Sequence, residues 1–179
     1  TEVVGHFLDR KTQSEVNKMN AFDSIEGNLG KAVDGAQLVV IDFPINETRD
    51  LFETLGTIVS DGAVITDMGS SKKRSAAWAE EFLPNTVSYV GGRPIIKVQL
   101  EGVAAASGNL FEGVNYCVIP SKSADDQATK TVVGLAESIG AKPYFLDVDE
   151  HDSYSAAMNN LPYLISTACL LYTSDAADD

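Results

Sequence analysis

The chain has 179 residues, of which 44% are hydrophobic and 22% charged, proportions that are typical of a soluble globular protein. Its formal net charge is −13 and its basic residues form no long cluster, so the composition argues against a nucleic-acid partner or an acidic membrane surface. No apolar run reaches the roughly 20 residues of a membrane span, and no basic-then-apolar leader predicts a signal peptide.

The first third of the chain predicts strands that alternate with helices. Residues 1–8 read as a strand, and a helical stretch follows at about 12–20. Residues 23–29 are polar and turn-like, and a short helical turn is expected at 30–33. The run Q-L-V-V-I-D-F at 37–43 is continuously apolar and stops at Pro44, which is typical of a parallel strand covered on both faces. Helical spacing of apolar residues then covers 46–55.

The stretch A-V-I-T-D-M-G-S-S-K-K-R at 63–74 is the most informative one. A β-branched strand ends at Asp67, Gly69 permits a tight turn, and Ser70 or Ser71 can cap a helix over 71–82. Free N–H groups at a helix start attract anions, and the basic residues 72–74 add positive charge. The stretch therefore predicts a site for an anionic ligand beside a nucleotide. An ordinary strand-to-helix junction with a solvated basic turn remains the alternative.

The rest of the chain continues the alternation. Strands are predicted at 87–90, 115–120 and 143–146, and helices at 124–139 and from 149 to about 171. The irregular region 91–109 is predicted to be a functional or mobile loop. This order predicts an α/β fold with a doubly wound parallel sheet. The two cysteines, Cys117 and Cys169, lack metal-ligand spacing and predict small core residues of a reduced, cytoplasmic protein.

Seven segments, taken together and in this order, resemble the prephenate/arogenate dehydrogenase family of tyrosine biosynthesis. They are V-V-G-H-F-L-D-R (3–10), A-Q-L-V-V-I-D-F-P (36–44), T-D-M-G-S-S-K (66–72), V-G-G-R-P-I (90–95), L-F-E-G-V-N-Y-C-V-I-P (110–120), D-V-D-E-H-D (147–152) and N-L-P-Y-L (160–164).

The resemblance implies a partial NAD(P)-binding Rossmann domain over 1–147 and the first helix of a helical dimerisation domain over 148–171. It also implies a cofactor, NAD or NADP, a small-molecule substrate, prephenate or arogenate, and a homodimer in the complete protein. We expect a fragment without the family's first strand, because the pyrophosphate-binding G-x-G-x-x-G turn does not occur in the sequence. On this expectation the fragment itself is inactive. The acidic residues 172–179 are interpreted as a non-native or disordered tail.

Two departures from the family pattern concern the substrate. Where the family reads G-G-H-P, this chain has Gly91-Gly92-Arg93-Pro94, and the family's further histidines are replaced by Asn160 and Tyr163. Arginine stays protonated and does no acid–base chemistry, although it binds carboxylates and polarises oxygens. These changes keep two alternatives open: a related 3-hydroxyacid or 6-phosphogluconate type of dehydrogenase, and a catalytically impaired, nucleotide-binding pseudoenzyme.

The resemblance and the strand ends together define the candidate site residues. Catalytic roles are assigned to Ser70 and Arg93, and no metal is expected. His6 and His151 are interpreted as structural. The cofactor-binding candidates are Asp9, Arg10, Phe43, Pro44, Ile45, Asp67 and Gly69. The substrate-binding candidates are Ser70, Lys72, Arg93, Asn160 and Tyr163.

Overall fold

The computed structural model describes residues 1–96 and 102–175. The strands in these ranges are β1 Val4–Gly5, β2 Ser24–Ile25, β3 Leu38–Ile41, β4 Val64–Asp67, β5 Ser88–Pro94, β6 Asn115–Pro120 and β7 Lys142–Phe145. The helices are α1 Arg10–Asn17, α2 Leu29–Ala32, α3 Ile45–Ile58, α4 Lys72–Phe82, α5 Asp126–Ser138, α6 Val148–Ser155 and α7 Leu161–Asp175. No helix within the described ranges is both long and apolar enough to cross a membrane.

Five strands form one sheet in the order β3-β4-β5-β6-β7, and β1 pairs with β2 in a separate parallel pair. The predicted α/β fold with a doubly wound parallel sheet is confirmed, and one of the four strand pairs in the described sheet departs from the parallel arrangement. Strands β5 and β6 run antiparallel, with Gly92 opposite Val118. The described part of their connection holds only a short 3-10 helix, Val103–Ala105, instead of the crossover helix that usually joins parallel strands.

Helices cover both faces of the five-stranded sheet. On one face, Phe52 and Leu55 of α3 pack with Ile65 of β4 in a buried cluster. On the other face, Val132 of α5 packs in a second cluster with Val118 of β6. Burying a side chain of this size contributes about 1.5–3 kcal/mol to folding. This two-sided packing explains the apolar runs of the central strands β4 and β6, because helices cover both of their faces.

The side of β3 away from β4 faces the small β1–β2 pair across a cavity of about 120 Å³. Val4 and His6 line one wall, and Val40 lines the other and is 45% exposed. Among the described residues no strand pairs with β3 on this side. The five-stranded sheet therefore ends at β3 with an open strand edge.

Several predicted boundaries are wrong. Strand β5 continues through residues 91–94, so the region predicted as a loop begins later, and residues 97–101 of that region lie outside the described residues. Strand β2 lies in the stretch predicted to be turn-like. Helix α7 continues to Asp175, within the segment interpreted as a non-native or disordered tail, and residues 176–179 lie outside the described residues. Cys117 is buried as predicted, whereas Cys169 is exposed.

Candidate functional site

Strand β4 passes into α4 over a buried ion pair. Lys72 is fully buried, and its Nζ donates to Asp67 Oδ1 at 2.7 Å and to the Asp67 carbonyl at 2.8 Å. Ser75 Oγ donates to Asp67 Oδ2 at 3.0 Å, and the Tyr89 hydroxyl donates to Oδ1 at 2.5 Å. The Gly69 N–H also donates to Oδ2, at 3.1 Å. This network fastens the turn between Asp67 and Lys72 to the sheet.

These contacts correct two predictions. Lys72 and Asp67 were expected to face a ligand, but both are directed inward, because a buried charge must be paired to be tolerated. Burial lowers the pKa of Lys72, although the attraction and hydrogen bond of Asp67 act in the opposite direction. Burial also raises the pKa of Tyr89, and the neighbouring Asp67 adds to that rise. Tyr89 is therefore a neutral donor to Asp67 at physiological pH.

The N-terminus of α4 is occupied by a carboxylate of the same chain. Asp152, from α6, accepts the backbone N–H of Lys72 at 2.8 Å and that of Lys73 at 3.1 Å. It also accepts the Ser71 hydroxyl at 3.1 Å, so Ser71 stands at the N-cap position without capping through its own side chain. The predicted anion at this helix start is present, but it is Asp152 and not a ligand.

Replacing Asp152 by asparagine is expected to lower the free energy of unfolding by about 1–2 kcal/mol at pH 7, since the helix loses a charged cap. Burial alone would raise the pKa of Asp152, but the hydrogen bonds from the Lys72 and Lys73 N–H groups, His151 and Ser71 outweigh burial and lower the pKa. Because this pKa is lower in the folded state than the unfolded value of 3.8, ionised Asp152 stabilises the fold above pH 3.8. This stabilisation is lost as the pH falls from 3.8 through the pKa of the folded state.

Denaturant titrations between pH 7 and pH 3 measure this effect. The Asp152→Asn variant should lose less stability on acidification than the parent chain does. The matched control is Asp149→Asn on the same helix, because Asp149 forms an exposed pair with Lys73 at 2.9 Å. Equal acid dependence in both variants would show that Asp152 does not cap α4.

Arg93 of β5 meets the turn after β4. Its Nη1 donates to the Ser155 hydroxyl at 2.6 Å and to the Ser70 carbonyl at 3.2 Å. Ser155 Oγ in turn donates to the same Ser70 carbonyl, at 3.3 Å. The structure thus brings two predicted residues, Ser70 and Arg93, together at the carboxyl ends of the adjacent strands β4 and β5. Helix α6 packs beside them and contributes Ser155. Ser155 was not predicted from the sequence.

His151 is a second residue that the sequence analysis did not place at this site. It is 2% exposed, and its Nδ1 lies 2.8 Å from Asp152 Oδ1. Its Nε2 is buried without a hydrogen-bond partner in the described structure. Residues four apart share one helix face, so His151 lies one turn before the Ser155 that binds Arg93. The sequence did contain a signal for this arrangement: His151 is followed directly by Asp152, and Ser155 comes four residues after the histidine.

Gly92, beside Arg93 in β5, lies where two buried hydroxyls converge. A Cβ atom at this position would lie 2.7 Å from Thr66 Oγ1 and would overlap the Tyr116 hydroxyl. Burial raises the pKa of Tyr116 to about 12, so its hydroxyl keeps its proton. Glycine at position 92 is therefore required by close packing.

No described contact joins the remaining predicted residues to Ser70. Asp9 caps α1 by accepting the Lys11 and Thr12 N–H groups, and these hydrogen bonds, that of Thr12 first, lower its pKa. Arg10 follows it as the exposed first residue of α1. The structure therefore supports a capping role for Asp9 and shows no feature specific to a nucleotide there.

Residues 43–45 follow the end of β3. Phe43 packs partly against the core, and Pro44 precedes α3, whose N-terminus has no side-chain cap. Ile45 lies in an open groove of about 530 Å³ between α3 and α4, which Arg49 and Lys73 also line. Both of these cations form exposed pairs with carboxylates, Arg49 with Glu81 and Lys73 with Asp149.

Asn160 and Tyr163 lie farther along the C-terminal helix. Asn160 ends a π-helical segment, Ala156–Asn160, and Tyr163 is in α7. Both are exposed. They are five and eight residues beyond Ser155, or about 8 and 12 Å along a helix axis. No described contact joins them to Ser70.

The chain was compared with protein families, curated proteins and solved structures. The family model described as prephenate dehydrogenase, nucleotide-binding domain, matches residues 1–145. The prephenate dehydrogenase of Bacillus subtilis is 27% identical over 157 residues, which are 87% of this chain and 42% of that protein. The prephenate dehydrogenase of Lactococcus lactis is 26% identical over 180 residues, 99% of this chain and 48% of that protein.

Among solved structures, the fold is similar to that of prephenate dehydrogenase from Aquifex aeolicus in complex with hydroxyphenyl propionate and NAD+. That match has a TM-score of 0.86 and 25% identity, and it covers 94% of this chain and 59% of the other. The chain spans about half the length of the curated relatives it matches.

Proposed function

The chain belongs to the prephenate dehydrogenase family, and we propose that it is the cofactor-binding part of an NAD- or NADP-dependent dehydrogenase that oxidises and decarboxylates prephenate or arogenate. The observation that carries this proposal is the meeting of Ser70, Arg93 and Ser155 where β4 and β5 end. In open α/β sheets this edge is where ligands bind. The relatives named prephenate dehydrogenase support the choice of substrate.

Arg93 is proposed to hold the substrate. Its guanidinium is half-buried and is oriented by the Ser70 carbonyl and the Ser155 hydroxyl. Burial lowers the pKa of Arg93, yet the group keeps its charge, because a guanidinium is protonated at any physiological pH. A fixed cation of this kind binds a carboxylate or stabilises an oxygen that becomes negative.

The cofactor is proposed to lie along the ends of β1 and β3. Its nicotinamide would supply the hydride acceptor. The start of α3 fits the nicotinamide half, because its first N–H groups have no side-chain cap, and Phe43 to Ile45 adjoin them. We propose that Asp9 also accepts ribose hydroxyls, and that Arg10 beside it pairs with the phosphate if the cofactor is NADP. The 179 residues contain no G-x-G-x-x-G turn for the pyrophosphate.

Two further features of the whole protein are proposed. Helix α7 is apolar, and Leu161, Tyr163 and Leu164 are 54%, 72% and 63% exposed, which supports the start of a helical domain that pairs two copies. A cytoplasmic location is proposed because soluble nicotinamide cofactors are available there.

An activity assay tests the proposed function. The complete product of the reading frame that encodes this chain is incubated with NAD+ or NADP+ and either prephenate or arogenate. We expect absorbance at the reduced-nicotinamide wavelength to rise with one substrate. A folded protein that reduces neither cofactor with either substrate would reject the proposal, and turnover of a 3-hydroxyacid instead would support the related dehydrogenase type. Activity that appears only in Arg93→His would identify the parent as a pseudoenzyme.

A further inference from the structure

The proposed reaction needs a proton acceptor that the predicted site does not contain. Removing a hydride from a carbon that bears a hydroxyl releases the hydroxyl proton. Arg93 cannot accept it, and the hydroxyls of Ser70 and Ser155 are not basic at neutral pH. Asp152 already accepts the Ser71 hydroxyl and two backbone N–H groups of α4, and it also contacts His151 Nδ1. His151 Nε2 is the unoccupied basic atom among these described side chains.

We propose that His151 accepts the substrate hydroxyl proton at Nε2, directly or through one water molecule, and that Asp152 fixes the ring for this task. The inference rests on the proposed function and adds the acid–base group to it. Arg93, in the position where the resemblance places a histidine, then stabilises the oxygen as it loses its proton.

The first support is the orientation of the ring. The carboxylate of Asp152 is held in place by hydrogen bonds from Lys72 N–H, Lys73 N–H and Ser71 Oγ. Its contact with Nδ1 therefore fixes the orientation of the His151 ring. An ionised carboxylate at 2.8 Å from Nδ1 requires the proton on Nδ1. The lone pair is thereby left on Nε2, the atom that has no protein partner.

The second support is location. His151 and Ser155 lie on one face of α6, and Ser155 contacts both Arg93 and the Ser70 carbonyl. The Cβ atoms of His151 and Ser155 are therefore about 5–6 Å apart, one helical turn along α6. Ser155 in turn orients Arg93, the cation that is proposed to bind the substrate. A buried acceptor without a partner at this place is the feature that a substrate hydroxyl or a bridging water would satisfy.

The third support is the charge state. Burial lowers the pKa of His151; the hydrogen bond and charge of Asp152 oppose this, while Lys72 of α4 and Arg93 of β5 add to it. Histidine is therefore neutral at pH 7, as a proton acceptor must be. The acid limb of the activity profile should accordingly lie below pH 6.5.

The proposed step neither consumes nor releases a proton overall. The C–H electron pair leaves as hydride to the nicotinamide, and the C–C bond to the ring carboxylate breaks, releasing CO2 as its electrons enter the ring. The hydroxyl proton moves to Nε2 and returns to the same oxygen when the ring has become aromatic. The oxidant is the nicotinamide cofactor of the proposed function.

A nuclear magnetic resonance experiment tests the ring without relying on turnover. The chain has two histidines, so 15N-histidine labelling gives two imidazole spin systems, and His6→Gln identifies that of His151. At pH 7 we expect His151 to be neutral with the proton on Nδ1, and its Nε2 signal to shift when hydroxyphenyl propionate is added. A proton on Nε2, or no response at saturating probe, overturns the inference.

Kinetics of the complete reading-frame product provide the second test. His151→Asn is expected to lower kcat about 100-fold with little change in KM, to remove the acid limb of the pH profile, and to be partly rescued by added imidazole. Ser153→Asn is the matched control, because Ser153 lies on the same helix with an exposed side chain. Melting curves of both variants report any loss of folding.

The outcomes separate the two proposals. If the parent reduces the cofactor with prephenate or arogenate and His151→Asn retains kcat within about threefold, the inference fails and the function stands. If the parent turns over neither substrate, the function fails, and the inference about its proton acceptor fails with it.

Discussion

Replacing Lys72 by methionine is expected to lower the free energy of unfolding by about 3–5 kcal/mol at pH 7, the usual cost of removing one partner of a buried ion pair. Lys72 is fully buried, and its Nζ donates to the Asp67 side chain at 2.7 Å. Methionine fills a similar volume but leaves the Asp67 carboxylate buried without a countercharge. Urea titration followed by circular dichroism measures the change.

The neighbouring Lys73→Met is the matched control for this prediction. Lys73 is 73% exposed at its side chain and pairs with an exposed Asp149, so its loss should change stability little. The double variant Asp67→Asn/Lys72→Met should lose less than the sum of the single changes, because no unpaired charge then remains. A Lys72→Met variant as stable as Lys73→Met would show that the pair does not hold the turn.

Replacing Gly92 by alanine is expected to lower the free energy of unfolding by about 3 kcal/mol, at the upper end for inserting one methyl group into a packed core. The new Cβ atom would overlap the Tyr116 hydroxyl and lie 2.7 Å from Thr66 Oγ1, and both of these side chains are buried. Relief would move β5, which carries Arg93. Thermal melting measures the loss of stability.

Removing the obstructing oxygen should partly rescue this variant. The double variant Gly92→Ala/Tyr116→Phe is expected to regain part of the loss, because phenylalanine lacks the hydroxyl that the methyl group meets. Gly134→Ala in α5 serves as the control, since nothing lies within 4 Å of its Cβ position, and alanine there should stabilise the helix. Equal melting temperatures for Gly92→Ala and the parent would contradict the close packing described here.

Local patterns predicted most elements because they act over short distances along the chain. The apolar run ended by Pro44 gave β3, the β-branched run ended by Asp67 gave β4, and residues 115–120 gave β6 with the predicted bounds. Boundaries failed where pairing between distant segments decided them. Residues 91–94 contain two glycines and a proline, yet they form a strand because β6 lies antiparallel beside them.

The candidate site was predicted only in part for the same reason. The position of Ser70 at a strand end follows from the sequence, whereas the contact of Arg93 with it depends on the order of β4 and β5 in the sheet. Asp152 closes the start of α4 from 81 residues beyond Ser71, and no spacing along the chain indicates such a contact. That contact also gives His151 its orientation.

Near neighbours in the chain account for the alternation of strands and helices, the apolar character of the strands and the turn that carries Ser70, so these features follow from the sequence. Three features became visible only in the folded chain. Lys72 is directed inward, Asp152 occupies the helix start where a ligand was expected, and His151 lies one helical turn before the Ser155 that binds Arg93. These features depend on the burial of charged groups and on contacts between residues that are 62 to 81 positions apart in the chain. Such burial and such contacts form only when the helices pack on the sheet.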